Sequence, residues 1–207
     1  DDGLTHVVLE TTSHGLAQRR VAEVDYDLAA VTNVTHEHLD YHRTYQGYLQ
    51  AKGLLFEALD PESASGKEIE KLAVLNRDDE SYAYLKKITR ANILSYSLTD
   101  QGDIWADAVE HTPDALGFTV HGLGDAFRVE SPLIGMYNVP NSLAAIGITM
   151  GGLGLPVAAI QTAFKTVQTV PGRMERIDLG QDFLAIVDFA HTPNAIKQAL
   201  LTARELT

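Results

Sequence analysis

Cysteine is missing from this 207-residue chain, which excludes disulfides and thiolate metal sites and fits a cytosolic protein. Positive charge is scarce: 16 basic against 28 acidic side chains leave a formal net charge of -12. That balance excludes a nonspecific grip on nucleic acid or on an anionic membrane, while leaving room for a local basic pocket. No apolar run approaches the ~18 residues a membrane span needs. No phosphate loop of the G-x-x-x-x-G-K-[ST] type occurs, and "GLGD" and "GGLGLP" read as turn and break signals. There is no internal repeat and no low-complexity tract. The start, "DDGLTHVVLE", carries neither a signal peptide nor a first Met, and the end, "LLTARELT", falls inside a helical pattern, so the expectation is a piece of something longer.

Hydrophobic residues make up 45% of the chain, enough for a real core, and their spacing changes along it. "HVVLE" (6–10), "DLAAVTNV" (27–34), "KLAVLN" (71–76) and "NILSYSL" (92–98) read as buried strands, with helix patterns at 45–59 and 79–89 between them. That alternation predicts an α/β fold, a mostly parallel sheet with crossover helices. After residue 100, "DIWADAVEH", "ALGFTVHG" and "AFRVESP" alternate around "TPD" and "GLGD", which predicts a small antiparallel meander. Two helices should follow, one opened by Asn138 or Asn141 and one after Pro156, with Gly151, Gly152 and Gly154 as the break. "MERIDLGQDFLAIVDFA" reads as a hairpin and the rest as a helix capped by Thr192. A domain boundary is expected at 170–173, dividing 1–172 from a C-terminal remnant, 173–207, too small to bury a core alone.

In an open parallel sheet, ligand sites gather at the carboxyl ends of the strands. The first strand pattern ends in Glu10, Thr11, Thr12, Ser13 and His14, and the second in "THEHLDYH", with three histidines in seven positions. Glu10 with His38 could bind a hard divalent ion such as Mg²⁺ or Mn²⁺, or the same residues could merely cap and cluster. Lys52 interrupts an apolar stripe made by Tyr45, Tyr48, Leu49, Leu55, Phe56 and Leu59. Either it snorkels to water, or burial favours its neutral amine, which can take up CO₂ as a carbamate and become an anionic oxygen ligand. Asn138 and Asn141 could cap a helix, Arg173 could be a hinge-surface residue, and Asp188 with His191 could close a strand end.

"ETTSHGLAQRRV", "TNVTHEHLDYH", "YLQAKGLLF", "GMYNVPNSLAA", "VPGRMERI" and "VDFAHTPNAI" stand in the order and approximate spacing of the Mur ligases, and the chain resembles that family from end to end, most of all its branch that adds the third peptide residue to the cell-wall precursor. The resemblance implies ATP-dependent amide formation through an acyl phosphate, with UDP-N-acetylmuramoyl-dipeptide and a free amino acid as substrates. It implies Glu10, His38 and carbamylated Lys52 around Mg²⁺, and Asn138, Asn141, Arg173, Asp188 and His191 around ATP. Thr12, Ser13, His14 and Arg20 fall in the segment that faces the muramoyl peptide, where Arg20 suits an anionic group. Two positions depart from the family pattern: Thr12 stands where a serine is usual, and Asn194 where an aspartate is usual. The resemblance makes 1–172 the ATP-binding central domain without its phosphate loop and 173–207 the start of the C-terminal domain. A chain cut this way should lack activity by itself and should self-associate through an exposed sheet edge. A folylpolyglutamate or cyanophycin type of ligase, or a noncatalytic metal- or nucleotide-binding relative, are the alternatives.

Overall fold

In a computed structural model of the chain, residues 3–35, 39–63, 69–99, 102–112, 115–167 and 170–206 are described. Strands β1 (Leu28–Ala30), β2 (Leu72–Asn76), β3 (Asn92–Ser97), β4 (Ile104–His111), β5 (Leu116–Gly122) and β6 (Asp125–Ser131) form one six-stranded sheet in sequence order. β1 to β4 pair in parallel and β4 to β6 antiparallel, so the expected meander extends the parallel sheet. The helices are α1 (Ser13–Ala17), α2 (Leu39–His42), α3 (Tyr45–Glu57), α4 (Tyr82–Ile88), α5 (Asn138–Ile146), α6 (Val157–Thr166) and α7 (Pro193–Glu205). A separate hairpin joins β7 (Glu175–Ile177) to β8 (Ala185–Val187). None of the described helices is long and apolar enough to cross a membrane.

The continuous apolar run of β2 is explained by cover on both faces. Leu72 and Val74 enter a core with Leu94, Tyr96, Ile104, Phe118, Leu143 and Ile160, under α5 and α6. Ala73 and Leu75 point the other way, into a second core with Tyr48, Leu49, Phe56, Leu59 and Leu85, under α3 and α4. The meander follows its turn chemistry: Gly122 pairs with Asp125, and the two residues between them, Leu123 and Gly124, both take positive φ (54° and 85°), as a tight two-residue hairpin turn requires. Residues 113–114 of the expected "TPD" turn lie outside the described residues.

Three expectations need correction. Residues 6–10 form no strand: Val8 is fully exposed and Val7 is 80% exposed. A strand is stable only when its backbone N–H and C=O groups find a ladder, and β1 pairs with β2 alone. The second strand pattern is regular only over Leu28–Ala30, with Val31 adding one more bond from its N–H to the Val74 carbonyl (3.2 Å). Gly151 and Gly152 do not break the helix pair either. α5 runs on as a π-helix, Gly147–Gly152, because these glycines let the backbone lie on the sheet: a Cβ on Gly147 would fall 2.7 Å from Val74 Cγ1, and one on Gly152 2.8 Å from Leu28. The break comes after it, at 153–156, where Gly154 takes φ +65°.

Candidate functional site

Two neighbourhoods of the structure hold most of the candidate side chains that are described. The first begins at Thr12, whose hydroxyl caps α1 by accepting from Gly15 N at 3.0 Å. Ser13 is buried at the first position of α1, and its Oγ lies 2.9 Å from His42 Nε2. The His42 ring also meets Tyr41, His14 and Tyr48, at centroid distances of 4.8, 5.4 and 5.4 Å. Gln18 Nε2 donates to the Tyr41 hydroxyl at 3.3 Å. Lys52 is half-buried on α3 with its Nζ 5.9 Å from the Tyr48 ring centroid, so the stripe it interrupts is the core-facing one, as expected. Glu10 and Arg20 are exposed. His38 lies outside the described residues, and among those described no three His, Asp or Glu side chains group as a metal site.

The approach to this rim is held from the sheet. Tyr96, fully buried, donates its hydroxyl to the Val31 carbonyl (2.9 Å), and Asn76 Nδ2 donates to the Thr32 carbonyl (2.7 Å). Asp79 accepts from Val34 N and from Ser81 N. Burial, and then the carboxylates of Asp79 and Asp78, push the Tyr96 phenol well above its ordinary value. Tyr45, at the start of α3, is raised by burial and then by Asp79 and Glu80. Burial opposes ionisation of Asp78, but hydrogen bonds from Leu98 N, Ser97 Oγ and Thr99 outweigh it and hold the carboxyl below the usual range.

The second group surrounds the start of α5. Neither asparagine caps this helix; the cap position is Tyr137 and no side chain bonds there. Asn138 Nδ2 donates instead to the Ile134 carbonyl (2.8 Å), and Asn141 Nδ2 reaches Asn138 Oδ1 at 3.4 Å. Tyr137, next to Asn138, lies within electrostatic reach of the C-terminal hairpin. Burial and then the Asp188 carboxylate raise its phenol, while a hydrogen bond with Asn138 and the Arg173 guanidinium act the other way. Asp188 spans its own hairpin, its two oxygens accepting from Met174 N and Ala190 N, each at 2.8 Å. The Arg173 guanidinium lies 5.1 Å from the Phe189 ring centroid, and that ring meets exposed His191 edge-on at 5.0 Å.

Residues 1–149 match the family model described as "Mur ligase middle domain". The chain belongs to that family. Over 208 residues it is 42% identical to the UDP-N-acetylmuramoyl-L-alanyl-D-glutamate–2,6-diaminopimelate ligase of Geobacillus thermodenitrificans, covering 99% of this chain and 41% of the relative. It is 37% identical to the UDP-N-acetylmuramyl-tripeptide synthetase 2 of Oceanobacillus iheyensis, covering 97% of this chain and 40% of that protein. A solved structure of a UDP-N-acetylmuramoyl-L-alanyl-D-glutamate–2,6-diaminopimelate ligase superposes with a TM-score of 0.76 at 31% identity, over 95% of this chain and 39% of the other. The Mur ligase chain thus spans about two-fifths of the length of the curated relatives it matches.

Within this Mur ligase chain, Glu10 to Asn141 fall in the matched stretch and Arg173, Asp188 and His191 beyond it. His42, Tyr41, Tyr48 and Tyr137 are not among the site residues expected from the sequence, although Tyr48 belongs to the apolar stripe of α3. His42 was signalled as the third histidine of the seven-residue run; nothing local marks Tyr137, whose neighbours Arg173 and Asp188 come from across the chain.

Proposed function

We propose that the protein to which this chain belongs is an ATP-dependent ligase adding the third amino acid to UDP-N-acetylmuramoyl-dipeptide, a step of peptidoglycan synthesis carried out in the cytoplasm. The observation that carries this reading is end-to-end similarity, at 42% and 37% identity, to two relatives named for that step. In the reaction the substrate carboxylate takes the γ-phosphoryl group of ATP, releasing ADP, and the incoming amine then displaces phosphate to form the amide. No protein nucleophile is needed, so positioning and charge stabilisation are the protein's part.

The two groups of side chains divide that work. Thr12, His14 and exposed Arg20 would orient the muramoyl peptide, with Arg20 meeting an anionic group through paired donors, while Ser13, expected beside them, is buried against His42 and would support this segment from behind. Asn138, Asn141, Arg173, Asp188 and His191 would hold the nucleotide, and the reach of the Asp188 and Arg173 charges to Tyr137, beside Asn138, supports treating them as one site. Glu10, His38 and carbamylated Lys52 would hold Mg²⁺. The donor types suit a hard cation: a carboxylate from exposed Glu10, an imidazole from His38 and, once carbamylated, an anionic oxygen from half-buried Lys52. The bound cation would screen charge on phosphoryl oxygens.

We place the division between ATP-binding and C-terminal domains at 170–173. Exposed Leu4, Val7 and Val8 at one end, and Phe183, Phe189 and Leu200 at the other, support self-association of the isolated chain, expected in sedimentation as species larger than a monomer. A monodisperse monomer would refute it. The functional test is phosphate release by the full-length protein with ATP, Mg²⁺ and UDP-N-acetylmuramoyl-L-alanyl-D-glutamate, with 2,6-diaminopimelate assayed first and lysine beside it. Release that requires both the dipeptide and one amino acid supports the reading, and no release with any amino acid overturns it. The 207-residue chain alone should show none.

A further inference from the structure

We infer that His42 is a positioning residue of the Lys52 site: it locks the first turn of α1, and with it Thr12, to the helix that carries Lys52. The inference rests on the reading of Thr12 and Lys52 given above. Ser13 is only 2% exposed, and a buried hydroxyl is stable only with a hydrogen-bond partner. His42 Nε2 stands 2.9 Å from it, donating or accepting according to the imidazole tautomer.

The histidine is itself held by its backbone. Its carbonyl accepts from Thr44 N at 2.8 Å. The same carbonyl presses on α3 where only glycine fits: a Cβ on Gly47 would lie 2.7 Å from it. The next residue, Arg43, takes φ +63°, a left-handed conformation that a non-glycine residue keeps only where its surroundings impose it. This tight corner fixes the direction in which α3 leaves His42. From Ser13, one hydrogen bond reaches His42, one ring contact reaches Tyr48, and Lys52 lies over that ring with its Nζ 5.9 Å from the centroid. A hydrogen bond placed at the corner between α1 and α3 sets the distance between a peptide-binding hydroxyl and the reacting centre. A displacement of about 1 Å at such a centre can slow a reaction ~100-fold.

The test compares Ser13→Ala, His42→Ala, their double mutant and His42→Gln in the full-length ligase. The readouts are kcat, KM for the muramoyl peptide and the ¹³C carbamate signal of Lys52 in labelled bicarbonate. His42→Ala and Ser13→Ala should each lower kcat about 10- to 100-fold and weaken the carbamate signal, with KM changed less than kcat. The double mutant should be no worse than the poorer single one, since both remove one bond. His42→Gln, whose amide nitrogen can occupy the place of Nε2, should recover much of the loss. Ser13→Ala alters little volume and keeps the test valid if His42→Ala fails to fold. An unsubstituted protein without a carbamate signal overturns the Lys52 reading and this inference with it. A protein that carries the signal, and whose single mutants keep signal and kcat within twofold, overturns the inference alone.

Discussion

Residues 6–9, His-Val-Val-Leu, and residues 72–75, Leu-Ala-Val-Leu, are equally suited to a buried strand, yet only the second becomes one. Val7 and Val8 are 80% and 100% exposed, whereas Val74 and Leu75 are fully buried. The difference lies in what surrounds each segment. β2 has β1 and β3 on its edges and a helical layer on each face; residues 6–9 have no ladder partner among the described residues. Apolar pattern states a capacity for burial, and neighbours decide whether it is used.

The contrast is broken most forcefully by substitutions matched across the two segments. Leu75→Ala empties volume in the core beneath α3 and should cost about 2–5 kcal/mol, while Val8→Ser should change stability by less than about 0.5 kcal/mol, both from urea midpoints. A loss of several kcal/mol for Val8→Ser would mean that residues 6–9 pair in solution. Hydrogen exchange sharpens the same comparison: amides of Ala73 to Asn76 should be among the slowest, and those of Val7 to Leu9 among the fastest.

The next effect probes how closely the cover sits on the sheet. Gly147→Ala would drive a methyl to 2.7 Å from Val74 and 3.1 Å from Leu94, from the face opposite Leu75, and should cost about 1–3 kcal/mol by overpacking. An unchanged midpoint would show that the π-helix rides loosely on β2 and that β2 owes its burial mainly to the other layer.

These outcomes bear on what could be read from residues alone. The three meander strands, β2 and β3 and the helices α3, α4, α6 and α7 were legible because each carries its own period, cap or turn signal; Thr192 does cap α7, accepting from Ala195 N at 3.3 Å. Residues 6–10 were misread because strand formation depends on partners that a local pattern does not contain. The asparagine cap of α5 failed for a related reason: α5 starts at Asn138 itself, one residue past the cap position, and the side-chain amide of Asn138 donates back to the Ile134 carbonyl. At the candidate site, the stripe around Lys52 was legible, since helical spacing put it on the buried face of α3. The Ser13–His42 contact spans 29 residues and the Tyr137–Asp188 approach spans 51, and spacing says nothing at that range.

The smallest expected effect concerns Tyr96, which joins the buried region to the rim. Its ring lies in the core, and its hydroxyl donates to the Val31 and Thr32 carbonyls just before the histidine run. Tyr96→Phe removes that bond while keeping the ring, and should cost about 1 kcal/mol at pH 7. The pH dependence separates the hydroxyl from its packing. Folding raises the phenol above its ordinary value, so the unfolded chain loses this proton first, and the tyrosine's contribution is fully present below pH ~10 and declines above it. The unsubstituted chain should therefore lose stability between pH 10 and 12 more steeply than Tyr96→Phe, by at most about 1.4 kcal/mol per pH unit, the slope of one proton. Equal slopes would mean that the hydroxyl reaches solvent and that the tether on residues 31–32 opens, leaving the rim no better anchored to the sheet than residues 6–9.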